Sequence, residues 1–181
     1  MGCCRKQKVR TELKTSLLIV GEGPTERIFL QHLKALFWCK NCGHNVKVDN
    51  ANGGDPKIIV HHANQLLTNM SYTKCAIILD TDRPWDEDDL LKAIRKNPSI
   101  KTAVAIGSVP CLEGLMLDIL EGKHPRKSDE CKRRFRKKYI DERAMRNPRK
   151  YAAVFPKELI EEALKRIAEL DLIIRFLKNE S

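Results

Sequence analysis

Two aspartates, Asp80 and Asp82, close an apolar and partly β-branched run, Cys75-Ala76-Ile77-Ile78-Leu79. A run of that kind reads as a strand buried in a parallel sheet. Residues i and i+2 of a strand point the same way, so two carboxylates at that spacing can share one hard cation such as Mg²⁺ or Mn²⁺. Ligands of open α/β sheets sit just beyond the C-terminal strand ends, where this pair falls. Taken alone the pair has a plainer explanation, with Asp80 capping a turn and Asp82 solvated in a loop. Two further strand ends favour the cation. Glu22 follows the apolar run Ser16–Val20, and Glu113 follows a run that ends at Ile106, in the first turns of a helix. Parallel strands bring their C-terminal ends to one edge, so Glu22, Asp80, Asp82 and Glu113 are expected to converge. Crowded carboxylates repel one another, and a divalent cation relieves that repulsion. Such an ion would polarise a phosphodiester and generate hydroxide.

The elements that must position these acids follow from periodicity and turn chemistry. Ser16–Val20 is a short strand, and Gly21-Glu22-Gly23-Pro24 is a tight turn with Pro24 in the first turn of a helix. Ile28, Phe29, Leu33, Leu36 and Phe37 then recur at helical spacing. Neither the dinucleotide fingerprint nor GK[ST] is present here, which argues against NAD and against a P-loop nucleotide. Asn45–Asn50 reads as the second strand, and Asp55 and Pro56 as N-cap and first residue of the second helix. His62 belongs to the face of that helix rather than to a ligand set. Asp86-Glu87-Asp88-Asp89 opens a third helix, where acids complement the helix dipole. Ile100–Ile106 is the fourth strand. Four β-α repeats predict an α/β fold: a four-stranded, mainly parallel sheet with helices on both faces over residues 16–122. Residues 1–15 form a basic leader, and 123–181 a basic helical extension packed on the domain. The extension is expected to hold one helix over Asp129–Met145, a break at Asn147-Pro148, and one long amphipathic helix from Pro156 through Leu177.

The 181-residue chain carries a net charge of +10, unevenly placed. Residues 123–150 hold thirteen Lys and Arg against four acids. A basic face on a slightly acidic body points to a polyanion, because neutralising phosphates releases condensed counterions. The alternative is a solvated helix face. Lys132, Arg133, Arg134, Arg136, Lys137 and Lys138 are the candidate nucleic-acid contacts. No apolar run is long enough to cross a bilayer, and the basic start lacks a signal-peptide core, so a cytoplasmic protein without membrane contact is expected. Met1-Gly2-Cys3-Cys4 hints at acylation, but Lys6 stands where that pattern wants Ser or Thr. The seven cysteines are expected to be reduced and mostly packed. Cys39-Lys40-Asn41-Cys42-Gly43-His44 reads as a surface turn, with half a zinc site as the alternative; Cys3, Cys4, His61 and His62 are the further Zn²⁺ candidates.

Leu18-Ile19-Val20-Gly21-Glu22-Gly23-Pro24-Thr25-Glu26, followed by Asp80-Thr81-Asp82, resembles the TOPRIM signature of topoisomerases, primases and nucleases of the old-family type. Within that group, Glu22-Gly23-Pro24-Thr25-Glu26, the Gly54-Asp55-Pro56 loop, and Ser108-Val109-Pro110-Cys111-Leu112-Glu113 resemble the RloB-like proteins. The likeness spans roughly residues 16–121. It implies Glu22 as general acid/base or metal ligand, Asp80 and Asp82 as Mg²⁺ ligands, and Glu113 as a further acid. It also implies bacterial restriction or anti-phage defence, often beside an ATPase. This chain has no P-loop, so an ATPase would be a separately encoded partner. The short, very basic tail departs from that pattern.

The expected function is therefore a Mg²⁺-dependent, nuclease-like hydrolase of DNA or RNA phosphodiesters. The alternative is a non-catalytic module that binds nucleic acid or a partner and keeps the metal site. Topoisomerase chemistry is disfavoured, since Tyr72, Tyr139 and Tyr151 lack the context of a catalytic tyrosine.

Overall fold

The computed structural model describes residues 15–180. Its strands are β1 (Thr15–Gly21), β2 (His44–Asn50), β3 (Lys74–Asp80) and β4 (Thr102–Ser108). They form one parallel sheet in the order β2-β1-β3-β4. Chain direction across the sheet reverses between β1 and β3, the crevice where open α/β sheets place their ligands.

The first four helices are α1 (Pro24–Phe37), α2 (Pro56–Asn69), α3 (Glu87–Arg95) and α4 (Leu112–Glu121). Their starts follow the residues that announced them. The Asp55 carboxylate accepts from the Lys57 and Ile58 amides, and that of Asp86 from the Asp89 amide. Helices α2 and α3 cover one face of the sheet, meeting Leu18, Val20, Cys75, Ile77 and Leu79. Helices α1 and α4 cover the other, on Leu17, Ile19, Ala76, Ile78 and Ile106.

The C-terminal helices are α5 (Ser128–Lys138), α6 (Pro148–Val154), α7 (Lys157–Ala163) and α8 (Ala168–Lys178). Their buried side chains, Phe135, Tyr151, Phe155, Ile160, Ile174 and Leu177 among them, join the core that contains α1 and α4. Phe29 of α1 meets Phe155 edge-on, ring centroids 5.3 Å apart. Two helix expectations need correction. The helix expected over 129–145 stops at Lys138, because the Asp141 carboxylate accepts from the Arg143 and Ala144 amides and builds a turn instead. The long helix expected from Pro156 is broken between α7 and α8, where Ile167 is extended. No proline or glycine marks that break. Its reason is tertiary: α7 packs on α4, whereas α8 packs on α1 and β4.

The turn at 39–43 also differs from expectation. Cys39 and Cys42 are exposed and disulfide-bonded, with Cα atoms 5.5 Å apart, rather than reduced. The spacing that brings two ligands together also suits a disulfide. His44 turns inward, its ring contacting the Cys42 and Leu177 carbonyls at 3.3 and 2.9 Å. Neither sulfur nor the ring is free to ligate in this form. Cys75, Cys111 and Cys131 are free and buried, as expected; Cys3, Cys4 and the acylation pattern lie outside the described residues.

A bridge closing so short a loop removes little chain entropy, about 2 kcal/mol. Reduction of Cys39–Cys42 is expected to leave the circular dichroism spectrum intact and to lower the melting temperature by only about 4–8 °C. Unfolding at room temperature on adding a reductant would contradict that.

Candidate functional site at the C-terminal rim of the sheet

The two central strands, β1 and β3, deliver Glu22 and Asp80 to the crevice between them. The adjoining turns are strapped to their neighbours. The Gly53 amide donates to the Glu22 carbonyl at 2.8 Å. The Thr81 and Asp82 amides both donate to the Pro110 carbonyl, at 3.1 and 3.0 Å. This second strap ties the Asp80–Asp82 turn to the loop that starts α4. Asp80 is thereby set under the helix N-terminus, and its Oδ1 accepts from the Leu112 amide at 2.9 Å.

Glu113, in the first turn of α4, is 4% exposed. Ser108, paired in register with Asp80, is 1% exposed, and its hydroxyl has no partner among the described residues. A fifth acid joins the group. Glu26 lies in the first turn of α1, and its Oε2 accepts from the Gly23 amide at 2.8 Å. It packs over Gly21 so closely that a methyl group there would stand 2.5 Å from the Glu26 Cβ. Glycine at position 21 is required by that approach.

The carboxylates feel one another. Burial pushes Asp80 up to about 8, and Glu26 and Glu22 add to the rise. Burial likewise pushes Glu26 up to about 7, with Glu113 and Glu22 contributing. Glu22 is raised by burial and by Asp82 and Glu113, against the opposing charges of Arg83 and Lys132. Glu22, Asp80, Asp82 and Glu113 thus belong to one electrostatic neighbourhood.

Lys132 of α5 brings its ammonium 3.9 Å from Asp80 Oδ2. Where Asp80 is ionised, unit charges at that separation attract by about 1 kcal/mol in water and by roughly 4 kcal/mol where the effective dielectric constant is near 20. Burial disfavours the charge of Lys132, yet its pKa is raised, with Glu113 the largest of the acids holding it and Asp80 next. Lys132 only partly offsets the crowding at Asp80, because several carboxylates share it.

Among the described residues, no three His, Cys, Asp or Glu side chains stand close enough to hold a metal ion as placed. As placed, one Asp80 oxygen accepts from the Leu112 amide and the other faces Lys132. The donor chemistry nonetheless fits a hard divalent ion. All the candidate ligands are oxygens, and the buried Ser108 hydroxyl beside Asp80 lacks a partner among the described residues.

The six cations assigned to nucleic acid divide. Lys132 faces the acids. Arg134 and Lys138 clasp Glu121 together with the Tyr139 hydroxyl, which holds that carboxylate down to about 2. Arg136 lies 3.8 Å from Glu142. Arg133 and Lys137, one helical turn apart, are exposed and pair with no acid among the described residues. Tyr72 and Tyr151 are buried. Compared with known proteins, the chain matches no family model, no curated protein and no solved structure.

A carboxyl group whose pKa is raised on folding keeps its proton where the unfolded chain has lost it. For Asp80 the window runs from its ordinary value of 3.8 to about 8, and stability declines as pH rises through it. The melting temperature in a chelator is expected to fall from about pH 5 to about pH 8, and less so in Asp80→Asn. An identical slope in wild type and variant would count against this account.

Proposed function

We propose that the protein is a divalent-cation-dependent phosphodiesterase of nucleic acid, a nuclease-like enzyme of the TOPRIM, RloB-like type. What supports this reading is that Glu22, Glu26, Asp80, Asp82 and Glu113 lie at one rim of the sheet near enough to feel one another's charge, beside a helix with exposed cations that pair with no acid among the described residues. Asp80 and Asp82 would hold Mg²⁺ or Mn²⁺, Glu22 would be a further ligand or the general acid/base, and Glu113 the adjacent acid. When bound, the ion would neutralise charge on a phosphate oxygen and lower the pKa of water.

The chain's own groups account for the rest. Glu22, with its pKa raised by burial, is suited to taking a proton from an attacking water and giving one to the leaving oxygen. The Leu112 amide and the N-terminus of α4 fix the Asp80 carboxylate. Arg133 and Lys137 supply charge for backbone phosphates without reading sequence. The motif likeness adds bacterial restriction or anti-phage defence as the setting, with a separately encoded ATPase as partner.

A second reading, a non-catalytic module for nucleic acid or a partner, is favoured by one observation: Lys132 already faces Asp80. Two experiments decide. Linear DNA, plasmid and tRNA are incubated with the protein in Mg²⁺ or Mn²⁺, beside Asp80→Asn and Glu22→Gln. Cleavage by wild type and a loss of about 10²-fold or more in each variant is expected. Cleavage that persists in both variants removes the site, and tight binding without cleavage favours the module. For the basic face, log affinity is expected to fall steeply with log salt, and Arg133→Ala with Lys137→Ala to lessen that slope by about 2. An unchanged slope would place the phosphate contacts elsewhere.

A further inference from the structure

The cation nearest the acidic rim belongs to the protein. Helix α5 is held firmly enough to aim it. Phe135 and Cys131 are buried in the core, and the Cys131 thiol donates to the Pro125 carbonyl at 3.1 Å. On the same helix Arg134 and Lys138 reach Glu121 at the far end of α4. That grip joins α5 to α4, whose first turn carries Glu113. Lys132 therefore stands over the rim by construction, with its side chain 34% exposed and the Asp80 side chain 10% exposed.

We propose that Lys132 is the rim's own counter-ion, and that a divalent cation binds by displacing its ammonium group from Asp80. The inference rests on the reading of the rim as a cation site and adds a control to it. Two positive charges cannot share carboxylates at this distance without repulsion, so one leaves when the other arrives. The setting of Asp80 explains why a lysine is needed. Its side chain is only 10% exposed, and Ser108, its partner in register, has a buried hydroxyl without a partner among the described residues. A largely buried carboxylate is costly to ionise without a counter-charge, and the lysine supplies that charge until a metal does. The consequence is a site of deliberately moderate affinity. Its occupancy follows the free divalent concentration, and loading it turns a lysine outward beside Arg133.

The test is direct binding of Mn²⁺ by isothermal titration calorimetry, which needs no substrate and no turnover. Lys132→Met and Lys132→Gln are expected to bind Mn²⁺ about tenfold or more tightly than wild type, since the competing charge is gone. Lys132→Arg, which keeps the charge, is expected to stay within about threefold of wild type, and Lys96→Gln, on the opposite edge of the sheet, to be unchanged. Circular dichroism confirms that each variant is folded, and Lys132→Gln stands in if Lys132→Met is not. Wild type binding with equal or weaker binding by the folded neutral variants overturns the displacement while leaving the cation site standing. Absence of Mn²⁺ binding in wild type and variants alike overturns both.

Discussion

Mutual repulsion among carboxylates at the end of a parallel sheet is the constraint on which this structure turns. Sheet order places β1 and β3 side by side at its centre, so the acids that end them cannot avoid each other. Helices α1 and α4 add Glu26 and Glu113 from the same face. Every device around the rim answers that crowding: the Leu112 amide on Asp80, the Gly23 amide on Glu26, the raised pKa values of Asp80 and Glu26, and Lys132. A cluster serving stability alone would hardly be assembled this way, since apolar groups of similar size would pack the same volume without penalty. Charge crowding of this kind marks a candidate site.

The C-terminal region has two roles that its composition conceals. On its inner side it is core, with Phe135, Tyr151 and Phe155 stacked on one another and on Phe29. On its outer side it is charge. Helix α5 divides its cations among the rim, Glu121 and solvent, and the Glu121 cluster fixes that division by fastening α5 to α4.

Much of the fold was legible in the sequence because local signals agreed with the global one. Apolar runs ending in polar residues gave the four strands, and Asp55-Pro56 and Asp86 gave helix starts. The strand-end position of Glu22, Asp80 and Asp82 follows from the same pattern. What escaped notice was set by tertiary contact. Glu26 stands in the Glu22–Glu26 motif without a role assigned to it, and the packing over Gly21 shows it at the rim. Lys132 stands in a run of cations, and nothing in such a run tells which member turns inward. The break at Ile167 has no proline or glycine to announce it, since 160, 163, 167, 170, 174 and 177 keep helical spacing throughout. The Cys39–Cys42 bridge shares its spacing with a metal half-site.

The core cluster that runs from Leu17 to Leu177 has a consequence for biosynthesis. A nascent chain leaves part of α1 and β4 uncovered until α8 has left the ribosome, and its rim acids precede their lysine. The half-made protein thus lacks both a finished core and a balanced crevice, the crevice being completed by α5 and the core by α8.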